Sequence, residues 1–408
     1  MELVRLESVV EILDHKRVPI SSKDRAYRKG QYPYYGAQGI VDWIDDYIFD
    51  GTYILVAEDG ENLKSQNQPI AQLVSGQFWV NNHAHILGTK KGFDLSYVFY
   101  MLNSLNLSGY ITGSAQPKLN QDNLRAIMLP MPAYDTQVAI SNILSSLDAK
   151  IALNRRMNEE LEGMAKMLYD YWFVQFDFPN EEGKPYKSSG GAMEYNAVLK
   201  REIPAGWKVE ELSSLPEFLE NGEWGLDESA GNTIQVNCVR GADIVDLVGA
   251  PVRFISMEKT SKLLRAHDII IEVSGGSPTQ ATGRCNYISS SILEIYHNRL
   301  TCSNFCKFVR VKEDGLSAFF YLTWSLIYDN GNMFNFEGKT SGLKNLQIDS
   351  LLKENWPLPP QELATKFQKT IDGVFEKIGK NKQEIQHLTS LRNYLLPLLM
   401  NGQVRVAD

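Results

Sequence analysis

One stretch of this chain occurs twice. Residues 117–132 read PKLNQDNLRAIMLPMP, and residues 343–359 read LKNLQIDSLLKENWPLP. Adding 227 to a residue number takes Leu119 to Leu346, Asp122 to Asp349, Leu124 to Leu351, Pro130 to Pro357 and Pro132 to Pro359. The same shift carries Lys150 onto Lys377, Ile151 onto Ile378, Asn154 onto Asn381, Leu161 onto Leu388 and Leu168 onto Leu395. A register that holds without a gap across two blocks implies one structural plan used twice. A weaker echo opens each half, LVRLESVVEIL at 3–13 and WKVEELSSLPEFL at 207–219.

Each copy predicts the same order of parts. A mixed region the size of one ordinary domain comes first, then a Pro-containing extended exit, then a long helix. Strand candidates in the mixed regions include Thr52–Ala57, Gln77–Val80 and Asp268–Val273, separated by Gly-rich turns. The exits, Leu129-Pro130-Met131-Pro132 and Trp356-Pro357-Leu358-Pro359-Pro360, forbid helix. Boundaries follow at 1–132 for the first mixed domain, 133–180 for the first helical region, 181–204 for a linker, 205–359 for the second domain and 360–408 for the second helical region. The segment NEEGKPYKSSGGAMEYN (180–196) reads as a flexible linker or exposed loop.

The helices, expected over 137–172 and 364–399, carry a seven-residue repeat. Ile140, Leu144, Leu147, Ile151, Asn154, Asn158, Leu161, Ala165 and Leu168 alternate in steps of four and three. Phe367, Ile371, Val374, Ile378, Asn381, Ile385, Leu388, Arg392 and Leu395 do the same. That is a coiled-coil seam, and the nearest partner for each helix is its own repeat. The fold class expected is therefore mixed α/β (α+β): two similar domains and two long antiparallel helices related by a pseudo-two-fold axis. Asn154 and Asn381 are polar seam residues near the helix centres, and the symmetry predicts that they pair and fix the register, the alternative being helices rotated so that both are exposed.

Composition narrows the functions. The chain has 408 residues, 43% of them hydrophobic and 22% charged. That is enough to bury cores without disulfides or metals. No apolar run approaches a bilayer span, and the acid-studded N-terminus is unlike a secretory signal, so a cytosolic location is expected. Cys238, Cys285, Cys302 and Cys306 read as free thiols; only Cys302 and Cys306 are close enough to suggest a zinc pair. The net charge of −8 argues against a generic polyanion binder, so any nucleic-acid affinity needs local positive charge or help from partners.

Catalytic motifs fail one by one. GNMFNFEGKTSG (331–342) has six residues between Gly331 and Gly338 where a phosphate-binding loop needs four. Asp268…Glu272-Val273-Ser274 lacks the lysine of a nuclease core. His83 and His85 would share one strand face, but no third metal ligand is evident. No dinucleotide loop, no amino-methylase Asn-Pro-Pro-aromatic tetrad and no nucleophile–base constellation appears.

Polar segments suited to groove contact remain. In HKRVPISSKDRAYRKGQYPYYGAQG (15–39), Lys16, Arg17, Lys23, Arg25, Arg28 and Lys29 meet one acid of their own segment, Asp24. Tyr34, Tyr35 and Gln38 follow, and the group forms a candidate DNA-binding surface, with a solvated loop as the alternative. TGSAQPKLN (112–120) offers Ser114, Gln116 and Lys118, and the matching GKTSGLKNL (338–346) offers Lys339, Ser341 and Lys344. VSGGSPTQATGR (273–284) adds Ser274, Ser277, Thr279, Gln280, Thr282 and Arg284. These side chains can bond phosphates or base edges, or can simply form turns. A helix of thirty-six residues extends roughly 54 Å. That would suffice to separate two readers by about one DNA turn, roughly 34 Å.

PYYGAQGIVDWIDDYIFDGTYILVAEDG (33–60), GSAQPKLNQDNL (113–124) with its LPMP exit, EIPAGWKVEEL (202–212) and IIIEVSGGSPTQATGR (269–284) resemble the specificity subunit of type I restriction–modification systems. The resemblance covers essentially the whole chain. It implies that each mixed domain is a target-recognition domain reading half of an interrupted DNA site, with the helices as spacer. It implies as partners two modification subunits that bind S-adenosylmethionine and methylate adenine, and a restriction subunit that uses ATP and Mg to translocate and cut. It implies no cofactor and no catalytic residue in this chain. Two other readings stay open here: a protein-interaction scaffold, and a recognition module of another methyltransferase or phage-defence assembly.

Overall fold

Alternation sorts the central strand of the first half between two cores. In the computed structural model, which describes residues 2–114, 116–275, 277, 279–313, 315–339 and 344–406, the chain divides into two compact units: Met1–Lys150 with Leu388–Asp408, and Ile151–His387.

In the first unit six strands form one sheet in the order Val10–Ile12, Ala84–Thr89, Phe49–Ala57, Ala71–Val80, Lys29–Gly36, Gly39–Ile44. The predicted Thr52–Ala57 and Gln77–Val80 lie inside two of these strands. Neighbours are antiparallel, except that Lys29–Gly36 runs parallel to Ala71–Val80. Both faces of the central strand are covered, which is why Ile54, Leu55, Val56 and Ala57 are all buried. Period two sorts them: Ile54 and Val56 join Leu87 beneath the helix Leu95–Ser104, while Leu55 joins Phe49, Phe78 and Ile86 on the other face. That helix starts where Asp94 accepts a 2.7 Å bond from the Tyr97 amide.

The duplicated exits close each unit in the same way. Glu2–Arg5 pairs with Met128–Met131, placing Leu3 opposite Pro130. Lys208–Glu211 pairs with Asn355–Leu358, placing Val209 opposite Pro357. Proline fits here because a two-stranded ladder leaves its outer edge without a donor requirement. The rest of the second unit is built differently. One four-stranded antiparallel sheet runs Pro216–Asn221, Cys306–Val311, Ile269–Glu272, Cys285–Tyr287. A three-stranded sheet orders Val252–Ser256, Thr233–Val239, Leu300–Cys302, and a small one orders Ser274–Gly275, Lys344–Leu346, Glu337–Lys339. Closing strands and helices repeat; the sheets between them do not.

The long helices run Tyr134–Tyr169 and Gln361–Met400, and a π-helical turn, Asp170–Val174, extends the first. In the second unit Asn154 Nδ2 donates to Glu384 at 2.8 Å and Asn381 Nδ2 donates to Asn158 at 2.8 Å. In the first, Arg392 meets Asp148 at 2.7 Å. Partners fall in number as residues rise, so the helices pair antiparallel. Asn154 and Asn381 are each 1% exposed. The expected bond between them is corrected to a one-turn offset. The repeat maps Asn158 onto Ile385, so the polar pair made by Asn158 and Asn381 has no polar equivalent between Asn154 and residue 385, and Asn154 turns to Glu384 instead.

The expected flexible segment is folded. Asn180 Oδ1 accepts from the amides of Glu182 and Lys184, Asp177 accepts from the amide and hydroxyl of Ser188, and Tyr186 stacks on Phe178 at 4.6 Å. Met193–Asn196 and Arg201–Pro204 then form a hairpin. Its polar composition resembles a linker, but Tyr186 and Met193 pack against the core of the second unit.

Candidate nucleic-acid interface

The basic segment 15–39 leads into the strand Lys29–Gly36, second from the edge of the sheet, and most of its charge is already matched. Arg17 meets Glu58 at 2.7 Å and Asp14 at 3.4 Å. Arg25 and Lys29 both meet Asp42, at 3.1 and 2.6 Å. Lys29 and the Trp43 amide hold the Asp42 carboxyl down to about 2. Arg28 meets Asp45 at 2.8 Å and lies over Trp79. Lys16 and Lys23 are exposed and, among the described residues, make no ion pair; Gln38 is exposed too. Tyr34 is corrected. It is fully buried against Ile44 and Trp79, its hydroxyl accepting from the Ile20 amide at 2.9 Å, so it supports the surface rather than forming it. Tyr35 is half-buried with its ring edge on Phe78.

The loop 112–120 projects from the same unit. Thr112 and Lys118 exchange two backbone bonds of 2.8 Å at its neck, leaving Ser114 and Gln116 exposed. Gly113 has φ +84°, and a Cβ there would sit 2.2 Å from the Gln116 carbonyl, so the turn requires glycine. Lys118 meets Glu58 at 3.2 Å, and Lys64 donates to the Ser114 carbonyl.

A buried network fastens this loop to the sheet. Asp14 accepts from His85 Nδ1 at 2.6 Å, the Ile86 amide at 3.0 Å and Gln121 Nε2 at 2.9 Å, while His85 Nε2 donates to the Leu119 carbonyl at 2.8 Å. Burial alone would raise the Asp14 and Glu58 carboxyls, but their bonds to His85 and Arg17 outweigh it and hold both below the usual range. Carboxylates depressed by folding add stability above their unfolded values near 4, and that stability disappears as pH falls through the folded values. Asp14→Asn is therefore expected to flatten the loss of stability between about pH 5 and 3, measured by urea unfolding at each pH. An acid limb as steep as the parent's would contradict it. His83, by contrast, is exposed and paired with Asp59 at 2.7 Å.

In the second unit the Gly-rich segment and the strand pair Glu337–Lys339/Lys344–Leu346 share the small sheet. Ser274 donates to Asn345, and Ser277 Oγ accepts from the Gln280 amide at 3.1 Å, shaping a turn that exposes Thr279 and Gln280. Thr282 is corrected: it is fully buried and bonded to Glu337 through its amide and hydroxyl. Arg284 is tied by two bonds, 2.9 and 2.6 Å, to the buried Glu272. Lys344 meets Glu337 at 2.8 Å and lies over Phe334. Lys339 ends its strand, and Ser341 falls outside the described residues. Burial pushes the Cys238 and Cys285 thiols up to about 12 and Cys306 to about 11, and no group of three His, Cys, Asp or Glu among the described residues is placed to hold a metal ion. No helix among them is long and apolar enough to cross a membrane.

The residues missed by sequence reading are the acids. Asp14, Asp42, Asp45, Glu58, Glu272 and Glu337 decide which cations are free, and each comes from outside the segment that it neutralises. What remains exposed are polar and basic loop tips on rigid supports. Each unit, taken by itself, presents such tips.

Comparison with known proteins finds relatives of one kind. The family described as type I restriction modification DNA specificity domain matches residues 1–163. The type I restriction enzyme MjaIX specificity subunit of Methanocaldococcus jannaschii is 26% identical over 336 residues, 78% of this chain and 71% of that protein. A Haemophilus influenzae protein named putative type I restriction enzyme specificity subunit is 33% identical over 144 residues, 35% of this chain and 36% of its own. The fold is that of the type I restriction-modification S subunit from M. genitalium, with TM-score 0.61 at 15% identity over 98% of this chain and 95% of that one. Residues 1–163 thus match the type I DNA specificity domain, and over about three quarters of its length the chain is similar to proteins named as type I specificity subunits.

Proposed function

We propose that the two units read different halves of one interrupted DNA target and that the paired helices fix the interval between them. The observation that carries this reading is the division of the repeat. Helices and closing strands are kept in register, with Pro130 and Pro357 at matching places, while the sheets and exposed loops are rebuilt. A protein selected for two copies of the same surface would keep the loops. Lys16, Lys23, Gln38, Ser114 and Gln116 in the first unit, and Thr279 and Gln280 in the second, are exposed for that contact, with Ser277 half-buried in its turn.

Two copies of one adenine-methylating partner would dock on the helices. Met164 and Met167 are 59% and 71% exposed, and their repeat equivalents, Leu391 and Tyr394, are 44% and 67% exposed. Large apolar side chains at equivalent exposed places support two like partners on two like faces. Those partners would bring S-adenosylmethionine, and a restriction subunit would bring ATP and Mg. The net charge of −8 fits a reader whose grip on DNA is shared with other subunits. Methylome sequencing of the host, with the gene and without it, tests the proposal. One bipartite adenine motif with unlike halves should lose its methylation in the deletion; an unchanged methylome would end the reading.

A further inference from the structure

The last helix holds two interior glycines, and only one has a reason inside the fold. A Cβ on Gly379 would lie 2.1 Å from Ser291 Oγ and 2.9 Å from Ser289 Oγ, so that position must be bare. A Cβ on Gly373 would meet nothing within 4 Å; the residue is exposed, and its φ is not among the positive ones. Glycine in an open helix interior is disfavoured relative to alanine. What it provides there is room outside the helix.

Around Gly373 stand four lysines, at −7, −4, +4 and +7: Lys366, Lys369, Lys377 and Lys380. At 3.6 residues per turn they share one face with it and span about 21 Å. All four are exposed and, among the described residues, none makes a side-chain ion pair. Three of the nearby acids are engaged elsewhere. Asp372 accepts from Tyr287 and Gln368, Glu376 from the amides of Ser290 and Ser291, and Glu384 from Asn154. Glu362 and Glu384 mark the two ends of the stripe.

The stripe is absent from the first long helix, where the equivalent residues are Ala139, Asn142, Lys150 and Leu153. It is therefore unnecessary for pairing the helices, and it is not a face shared by two like docking subunits. A single extended polyanion fits it better. We propose that Lys366, Lys369, Lys377 and Lys380 form a phosphate-binding track for the DNA backbone, with Gly373 letting the sugar–phosphate chain approach the helix closely. The track adds affinity and no base selectivity. It rests on the chain being a DNA reader.

The full-length chain carrying K366Q, K369Q, K377Q and K380Q together, titrated with target and scrambled duplexes over a range of salt, tests it. The slope of log affinity against log salt should shrink by about 0.9 per lost phosphate contact, about 3 to 4 in all. Affinity should fall by the same factor on both duplexes, leaving the preference for the target intact. G373E should weaken both duplexes about tenfold at unchanged helical content, by placing an anion in the track. Unchanged slope and affinity in both variants would overturn the track, as would a fall in target preference. Loss of assembly with methyltransferase subunits at an unchanged salt slope would overturn it in favour of an acidic protein surface. A parent chain with no sequence preference would instead sink the reading of the chain as a sequence reader.

Discussion

Arg284→Ala is expected to destabilise the second unit by about 3–5 kcal/mol, because it strands a buried carboxylate. Glu272 is 2% exposed, and both of its oxygens are held by the Arg284 guanidinium at 2.9 and 2.6 Å. The site has been shaped around this pair. Arg284 also donates to the Gly241 carbonyl at 2.9 Å, and Cβ atoms on Gly241 and Gly275 would lie 2.8 and 2.5 Å from Glu272 Oε1. Little space is left for water to replace the guanidinium. For a unit of this size the loss corresponds to a fall in Tm of about 6–20 °C. Urea and thermal unfolding should show it in the absence of DNA, and pairing Arg284→Met with Glu272→Gln should recover much of it by removing both charges. A variant that melts like the parent yet no longer binds DNA would show instead that Arg284 reaches the nucleic acid.

That distinction was out of reach in the sequence. Six cations within 15–39 beside a single local acid look like a free positive surface, yet Asp42 on the paired strand, Asp45 just after it and Glu58 just after the strand Phe49–Ala57 neutralise four of them. Ion pairs form across strands, so counting charges along a window overstates the field. Tyr34 was misplaced for a related reason. Its strand, KGQYPYYG, has irregular register with its neighbour between Lys29 and Tyr32 and again between Tyr34 and Tyr35, which breaks the alternation that would have marked an inward residue. Thr282 is hidden by Glu337, some fifty positions away.

The helical plan was readable because its signal is periodic and local. Every predicted seam residue falls inside a helix, and Ile140, Leu144, Ile151, Phe367, Ile371 and Ile378 are buried. The offset of the asparagine pair was not readable, because it depends on one difference between the copies, Asn158 against Ile385. Asp268–Val273 shortens only to Ile269–Glu272. The folded state of 180–196 was invisible to composition, since a few aromatic anchors decide it.

Those anchors lead to the second large effect. Phe173→Ala should destabilise the second unit by about 3–5 kcal/mol, the usual cost of truncating a buried phenylalanine. Phe173 is 1% exposed on the π-helical turn that ends the first long helix. Its ring lies 4.7 Å from Phe367, 5.1 Å from Phe319, 5.4 Å from Tyr169, 6.1 Å from Trp172 and 6.2 Å from Trp207, several of these edge to face. It therefore joins the end of one long helix to the first turns of the other and to the helix Ser317–Asp329. The void would be walled by rigid rings that close poorly, which places the cost toward the upper part of the range. Phe173→Leu keeps most of the volume and should lose less than half as much. Denaturant unfolding measures both, and the emission of Trp172 and Trp207 should shift to the red in the alanine variant as water reaches the cluster. Equal stability of parent and alanine variant would mean that the helix end is held without this cluster, and the coupling of helix pairing to the second unit's core would have to be abandoned.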